Sequence, residues 1–241
     1  MLLDMDQELR DQDQESRDQE QELWTAVDCY LIASLVPADE ATAAAARANA
    51  EAGLPAIDVT PAQGRFLYLL ALIHRAKRIL EVGTLGGYST IWLGKALPAG
   101  GRLVTLEVNP KHAQAATANL AHAGLSDMID LRVGPALQSL AELQHEGAAP
   151  FDMIFIDADK ANNPEYFEWT LRLSRVGTVI VVDNVVRDGA IIDSDDEDAA
   201  IRGTRRFIEM LGAEPRVEAT AIQTVGSKGY DGFALAVVVR E

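Results

Sequence analysis

The run Glu81-Val82-Gly83-Thr84-Leu85-Gly86-Gly87-Tyr88-Ser89 limits what this chain can fold into more than any other stretch. It follows the apolar segment Arg78-Ile79-Leu80 and leads into Thr90-Ile91-Trp92-Leu93, so it reads as strand, glycine-rich turn and helix. That unit opens the α/β sheets that hold nucleotides, and its glycines let a ligand approach the backbone where a Cβ would otherwise stand. The spacing is E-x-G-x-x-G-G rather than the G-x-G-x-x-G of dinucleotide sites, with an acid near the end of the strand. A carboxylate there repels a pyrophosphate and attracts a cationic ligand without phosphate. S-adenosylmethionine, which carries an ammonium and a sulfonium, is a ligand of that kind.

From residue 78 onward, strand and helix patterns alternate. Strands are expected at 78–82, 102–107, 129–133, 151–157 and 177–182, with helices at about 87–97, 110–123, 135–145 and 163–174. The runs 151–157 and 177–182 are almost continuously apolar, as suits central parallel strands covered on both faces. The alternation predicts a doubly wound, Rossmann-like, mostly parallel sheet. After residue 184 come a charged loop at 193–198, an amphipathic helix at about 199–211, and strand-like runs at 216–224 and 232–239. Strand following strand implies an antiparallel pair at one edge, which completes a seven-stranded α/β sheet. The connection between the two is expected across 226–232.

Extra helices precede the sheet. Trp24, Val27, Leu31 and Leu35 recur at helical spacing, and a second helix over 38–52 stops at Gly53-Leu54-Pro55. Thr60 is placed to cap a third, with Pro61 at its first position and Phe66, Leu69, Leu70 and Ile73 as its buried face. Residues 1–22 repeat Asp-Gln and Gln-Glu pairs and carry nine acids against two bases. So few apolar groups do not offset the entropy of ordering, so a disordered tail is expected there, with a solvated helical extension as the alternative. Residues 23–241 are then read as one domain.

The chain's net charge of −16 argues against nucleic acid as a partner, because the remaining segment keeps −9 after the acidic tail is set aside. No apolar run is long enough to span a bilayer, and the start Met1-Leu2-Leu3 turns acidic at once, unlike a secretory leader. The single cysteine, Cys29, rules out an intrachain disulfide and is expected as a small buried residue. A cytoplasmic protein with no membrane partner is the expectation.

Ligands of open α/β sheets sit beyond the carboxyl ends of the strands. The first strand ends around Glu81 and Gly83, and the second ends in Glu107, 20 residues after Gly87, where an acid accepts hydrogen bonds from ribose hydroxyls. The fourth ends in Asp157, followed by Asp159 and Lys160, and the fifth in Asp183-Asn184. Two carboxylates and an amide on neighbouring strand ends suit a hard divalent cation such as Mg²⁺, Ca²⁺ or Mn²⁺. The same acids equally serve to end strands and cap helices, and the two readings stand level on residues alone. For Lys160, spacing favours an ordinary surface lysine paired with Asp159 over a base of lowered pKa.

Three segments taken together, Glu81 to Ser89, Phe155-Ile156-Asp157-Ala158-Asp159-Lys160 and Asp183-Asn184-Val185-Val186-Arg187-Asp188-Gly189, resemble the cation-dependent class I O-methyltransferases, the catechol and caffeoyl-CoA O-methyltransferase group. The resemblance runs from about residue 24 to the end. It implies S-adenosylmethionine as cofactor and a divalent cation, Mg²⁺ first, held by Asp157, Asp183 and Asn184. It implies Lys160, with Asp157, at the acceptor hydroxyl. Around the cofactor it implies Val59, Glu81, Gly83, Thr84, Ser89 and Glu107, with Ala136 near the adenine and Asp157 or Asp159 near the ammonium. A small vicinal-dihydroxy phenol as acceptor and a homodimer follow from the same likeness. Plant members usually carry Asn where Asp188 stands, and their C-terminal segment differs from Lys228-Gly229-Tyr230-Asp231-Gly232; both departures bear on the acceptor.

The other signals are weaker. His74, His112, His122 and His145 fall in or at the ends of helices and are expected in structural or surface roles, as are Trp92 and Trp169 in the core. The acidic run 193–198 lacks the glycine and glutamate of a calcium loop and is expected as a solvated loop. A nicotinamide-dependent dehydrogenase is disfavoured by the acid and the glycine spacing, and a nucleic-acid methyltransferase by Asp157-Ala158-Asp159-Lys160 and the charge. A non-catalytic binding or oligomerisation module is the remaining alternative.

Overall fold

The structure, a computed structural model, describes residues 2–241, with side chains described from Glu15 onward. Helix α1 (Leu2–Leu35) takes in most of the segment expected as a disordered tail. The segment has neither Gly nor Pro before Pro37 and is rich in Gln, Glu and Leu, which hold a helix at little cost. Residues 15–20 are exposed, so the solvated extension is the form seen. The acidic side chains before Glu15 lie outside the described residues. Cys29, expected buried, lies on the exposed side of α1.

Helix α2 (Glu40–Glu51) is capped by Asp39, which accepts the Thr42 N–H, and α3 (Pro61–His74) by Thr60, which accepts the Gln63 N–H. The cap and proline of α3 fall where the sequence puts them, and the buried face does so in part: Phe66 and Leu70 pack against the core. Gly64, Leu67 and Ala71 face inward, whereas Leu69 and Ile73 are exposed. Gly64 faces inward because α4 lies so close. A Cβ on Gly64 would overlap the indole of Trp92, so only the narrow face of α3 fits there.

The sheet follows with β1 (Arg78–Val82), β2 (Arg102–Glu107), β3 (Ile129–Val133), β4 (Met153–Ile156), β5 (Val179–Asp183), β6 (Val217–Gly226) and β7 (Gly229–Val238). Helices α4 (Tyr88–Ala96), α5 (Pro110–His122), α6 (Ala136–His145), α7 (Asn163–Arg172) and α8 (Ala199–Ala213) fall between the strands. The strand order is β3-β2-β1-β4-β5-β7-β6, parallel through β5, with β7 antiparallel to both neighbours. The hairpin joining β6 and β7 is tighter than the sequence suggests: only Ser227 and Lys228 lie outside the strands, and Gly229–Gly232 already pair with β6.

Alternate residues of the central strands feed two cores. Leu80, Val82, Ile154, Ile156, Ile180 and Val182 pack with α6, α7 and α8 on one side. Ile79, Met153, Phe155, Val179 and Val181 pack with α2, α3, α4 and α5 on the other. The period of two on strands covered on both faces is what produces this three-layer arrangement. The chain changes direction across the sheet between β1 and β4, and that is where a crevice opens at the carboxyl ends.

Replacing Gly64 with Ala tests the packing of α3 on α4. Helix propensity alone would gain about 1 kcal/mol, but crowding a filled core costs about 1–3 kcal/mol, and Trp92 is only 4% exposed and has little room to move. Urea unfolding of Gly64→Ala should show a net loss of up to about 2 kcal/mol, and a gain would refute the close packing.

Candidate active site

Two adjoining cavities open at the carboxyl ends of the strands, of about 700 Å³ and about 670 Å³. The first runs along the glycine-rich turn. Val59, Gly83, Thr84, Ser89, Glu107, Ala136, Asp157, Asp159 and Lys160, nine residues singled out in the sequence, all line it. The second contains Asp157, Asp183 and Asn184 and is walled by α3 and the β6–β7 hairpin. Ile57, Asp58, Val59, Asp157, Asn184 and Arg187 face both, so they mark the junction.

The turn is built by close approach. Gly83 has φ 101°, and a Cβ there would overlap the carbonyl of Asp157. Gly86 meets the side chain of Asn49 in the same way, and Asn119 Nδ2 donates both to Asn49 Oδ1 (2.9 Å) and to the Gly86 carbonyl (2.8 Å). Two asparagines on α2 and α5 therefore clamp the turn from behind. Nothing local in the sequence marked them, because their partner lies more than 30 residues away.

Glu81 is fully buried and lines neither cavity. Its Oε1 accepts from Ser89 Oγ (2.7 Å), and its Oε2 from Thr90 Oγ1 (2.5 Å) and Thr105 Oγ1 (2.6 Å). Burial pushes this carboxyl up to about 7, against the three hydroxyls, which favour the anion. Glu81 thus ties β1, β2 and α4 together and orients Ser89, which does face the cavity. Glu107 reaches the cavity directly: its oxygens accept the backbone N–H groups of Leu85 and Asn109, both at 2.8 Å, and His112 Nδ1 lies 3.5 Å away. His112 itself lines the cavity, a position its place in α5 did not disclose.

Lys160 is not a surface lysine paired with Asp159. It is 8% exposed, and its Nζ donates to Asp157 Oδ1 at 2.7 Å. Asp159 instead accepts from Tyr166 OH at 2.6 Å, an interaction that together with burial holds the phenol above its usual range. Asp183 is buried, accepting from Gln63 Nε2 (2.7 Å) and from the Asn184 N–H (2.9 Å). Burial first, then repulsion from Asp157, raises its carboxyl to about 7, with Lys160 acting in the opposite sense. A buried acid beside a second acid is a place where a cation relieves an electrostatic cost.

The donor set fits a hard cation: Asp157, Asp183 and Asn184 offer only oxygen ligands and face one cavity. Among the described residues no group of three His, Cys, Asp or Glu side chains gathers, so a cation here would rest on two carboxylates and an amide. Also among them, no helix is long and apolar enough to cross a membrane.

A glycine-rich crevice thus abuts an acid–lysine pair at the carboxyl ends of the strands. The O-methyltransferase family model matches residues 37–237, and the chain belongs to this family of S-adenosylmethionine O-methyltransferases. It is 54% identical over 217 residues to a catechol O-methyltransferase of Niastella koreensis, covering 90% of this chain and 98% of that protein. An O-methyltransferase of Bacillus cereus solved in complex with SAH superposes with a TM-score of 0.89 at 57% identity, over 90% of this chain and 99% of that one. One of Streptomyces achromogenes in complex with SAM gives 0.89 at 53%, over 91% and 99%. The seven-stranded Rossmann-like fold read from the sequence is the fold of these proteins.

Glu81 yields a pH prediction. Its folded pKa of about 7 lies above the ordinary 4.5, so the folded chain holds this proton where the unfolded chain has lost it. The stability contributed is fully present below about 4.5 and lost as pH rises through about 7. In urea titrations with EDTA, the unaltered protein should lose on the order of 1–3 kcal/mol more than Glu81→Gln between pH 5 and pH 8. Asp183 contributes equally to both proteins and cancels; parallel pH profiles would refute the assignment.

Proposed function

We propose that the chain transfers the methyl group of S-adenosylmethionine to one hydroxyl of a small vicinal-dihydroxy phenol, with a divalent cation, Mg²⁺ first, held by Asp157, Asp183 and Asn184. The observation that carries this reading is the Lys160–Asp157 pair: Asp157 lies at the junction of the two cavities, and Lys160, bonded to it, lines the donor crevice. A proton-handling group thus stands beside the junction of the two crevices.

On the donor side, Glu107 is held by two backbone N–H groups with lone pairs left for the ribose hydroxyls. Ser89 and Gly83 serve the methionyl part, Ala136 the adenine, and Asp157 or Asp159 the ammonium. The acid-rich crevice suits a donor with two cationic centres. On the acceptor side, a bound cation supplies Lewis acidity that lowers the pKa of hydroxyls chelated to it. Lys160 Nζ receives the proton of the reacting hydroxyl or, as an ammonium, orients the phenolate. The S–CH₃ bond breaks as the O–CH₃ bond forms in line, leaving S-adenosylhomocysteine. Holding both reactants near attack distance supplies much of the acceleration.

The name of the Niastella relative supports a free catechol as acceptor. The lining supports it too: Asp28, Asp58, Asp188 and Asp231 face the acceptor cavity beside Arg187 and Lys228, a surplus of acid unsuited to a polyphosphate ester.

The N-terminal helices support a homodimer: Leu23, Tyr30 and Leu35 of α1 and Leu72 and Ile73 of α3 are exposed.

Methyl transfer from labelled S-adenosylmethionine to catechol should require Mg²⁺ and stop with EDTA. Asp157→Ala and Asp183→Ala should each cut kcat by roughly a hundredfold or more; EDTA-resistant activity in either would sink the cation assignment. Light scattering should give twice the 26.1 kDa chain mass, and Tyr30→Asp with Leu35→Asp should shift it to the monomer. A monomer at high concentration in the unaltered protein would remove the dimer.

A further inference from the structure

The loop that leaves β5 carries Asn184 and Arg187, and its backbone is unusual. Asn184 (φ 56°), Arg187 (φ 56°) and Asp188 (φ 53°) all take the left-handed region that non-glycine residues seldom adopt, and Gly189 follows at φ 83°. Three such residues within five do not hold their shape by local preference. Something outside the loop has to fix them.

Asp231, near the start of β7, does so. One oxygen, Oδ1, accepts the N–H groups of Val186 and Arg187, both at 3.0 Å, and that of Gly232 at 2.9 Å. Its Oδ2 lies 3.8 Å from Arg187 Nη1. The Val185 N–H reaches the Gly232 carbonyl at 3.0 Å. Gly232 allows the contact, since a Cβ there would overlap the Ile222 carbonyl and press on the Val186 side chain. Hydrogen bonds to a carboxylate are stronger than those between neutral groups, so one side chain grips two consecutive peptides of the loop. Asp231 itself is anchored in the sheet by its pairing with Thr224.

We propose that Asp231 is a positioning residue: by gripping residues 186 and 187 it sets where Asn184 and Arg187 sit, and so tunes the affinity of the Asp157, Asp183 and Asn184 oxygens for a divalent cation without being a ligand. This rests on the cation site proposed above. Arg187 lies at the junction of both cavities, so the same grip also sets the acceptor wall.

The test is Mn²⁺ binding to the full chain, followed by electron paramagnetic resonance without substrate, with S-adenosylhomocysteine binding measured by calorimetry alongside. Asp231→Ala removes the grip, Asp231→Glu keeps the charge but misplaces the oxygen, and Asp231→Asn keeps an accepting oxygen in place. The Ala and Glu variants should bind Mn²⁺ at least fivefold more weakly, the Asn variant within threefold of the unaltered protein, and all three should bind S-adenosylhomocysteine within threefold. Weakening of less than fivefold in Ala and Glu, equal losses for both ligands, or an Asn variant as weak as Ala would overturn the proposal. Should Asp231→Ala not fold, the Glu and Asn variants decide by the same criteria. If the unaltered protein binds no Mn²⁺, the cation site falls and this inference with it; if it binds and the variants are indifferent, only the inference falls.

Discussion

The site depends on how closely two strand ends approach each other. At Gly83 the turn after β1 lies flush against the Asp157 carbonyl after β4, and the Asp157 N–H reaches back to the Val82 carbonyl at 2.8 Å. The Gly83 N–H reaches the Leu106 carbonyl at 3.0 Å, next to Glu107. Three strand ends are thus pinned within one or two peptides of each other. From the far side, Gly203 on α8 lets that helix sit directly on the backbone of Lys160 and Ala161. The segment 157–161 is held between two glycines, with Asp157 facing both cavities and Lys160 facing the one along the glycine-rich turn.

Three acids in this small volume are handled in three ways. Glu81 is buried beneath hydroxyls, which can donate to it whether or not it carries a proton. Glu107 meets backbone N–H groups, donors that cannot be turned away by a side-chain rotation. Asp183 meets an amide from α3 and one peptide N–H, fewer donors than its burial beside Asp157 calls for. That order follows position: the acid farthest from ligand is the most enclosed, and the acid left least satisfied is the one facing the proposed cation.

The strands were legible because central parallel strands are apolar on both faces and their ends fall at Gly, Asp and Glu. What eluded the sequence was contact between distant segments. The inward face of α3 is only partly legible from hydrophobic size, because Gly64 faces α4 for want of room beside Trp92. Lys160 looked like a surface residue because Asp159 is nearer in sequence, yet a short helical turn after Asp159 swings the ammonium back to Asp157. Glu81, expected at the ligand, lines neither cavity because its oxygens are spent on three hydroxyls, two of which lie in the same turn-and-helix segment. Residues 15–22 take the solvated helical alternative rather than the disordered tail, because composition speaks to burial, and residues 15–20 of this helix are exposed.

The two cavities differ in how they are assembled. The donor side comes largely from a contiguous stretch, β1 through the start of α5, plus the segment after β4. The acceptor side is closed by a ring of distant partners. Gln21 donates to the Gly226 carbonyl at 2.9 Å and Asp28 accepts the Ser227 N–H at 2.8 Å, so α1 holds the β6–β7 hairpin. The hairpin tip then sends Lys228 to the Asp58 carbonyl, and Gln63 crosses to Asp183. Each link joins segments far apart in the chain, so none could be read from spacing. Asp58 faces both cavities and accepts from Asn49 Nδ2 at 3.2 Å, so the ring also reaches the clamp behind the glycine turn. Gln21 and Asp28 make the acidic helix part of this wall, where they grip the hairpin.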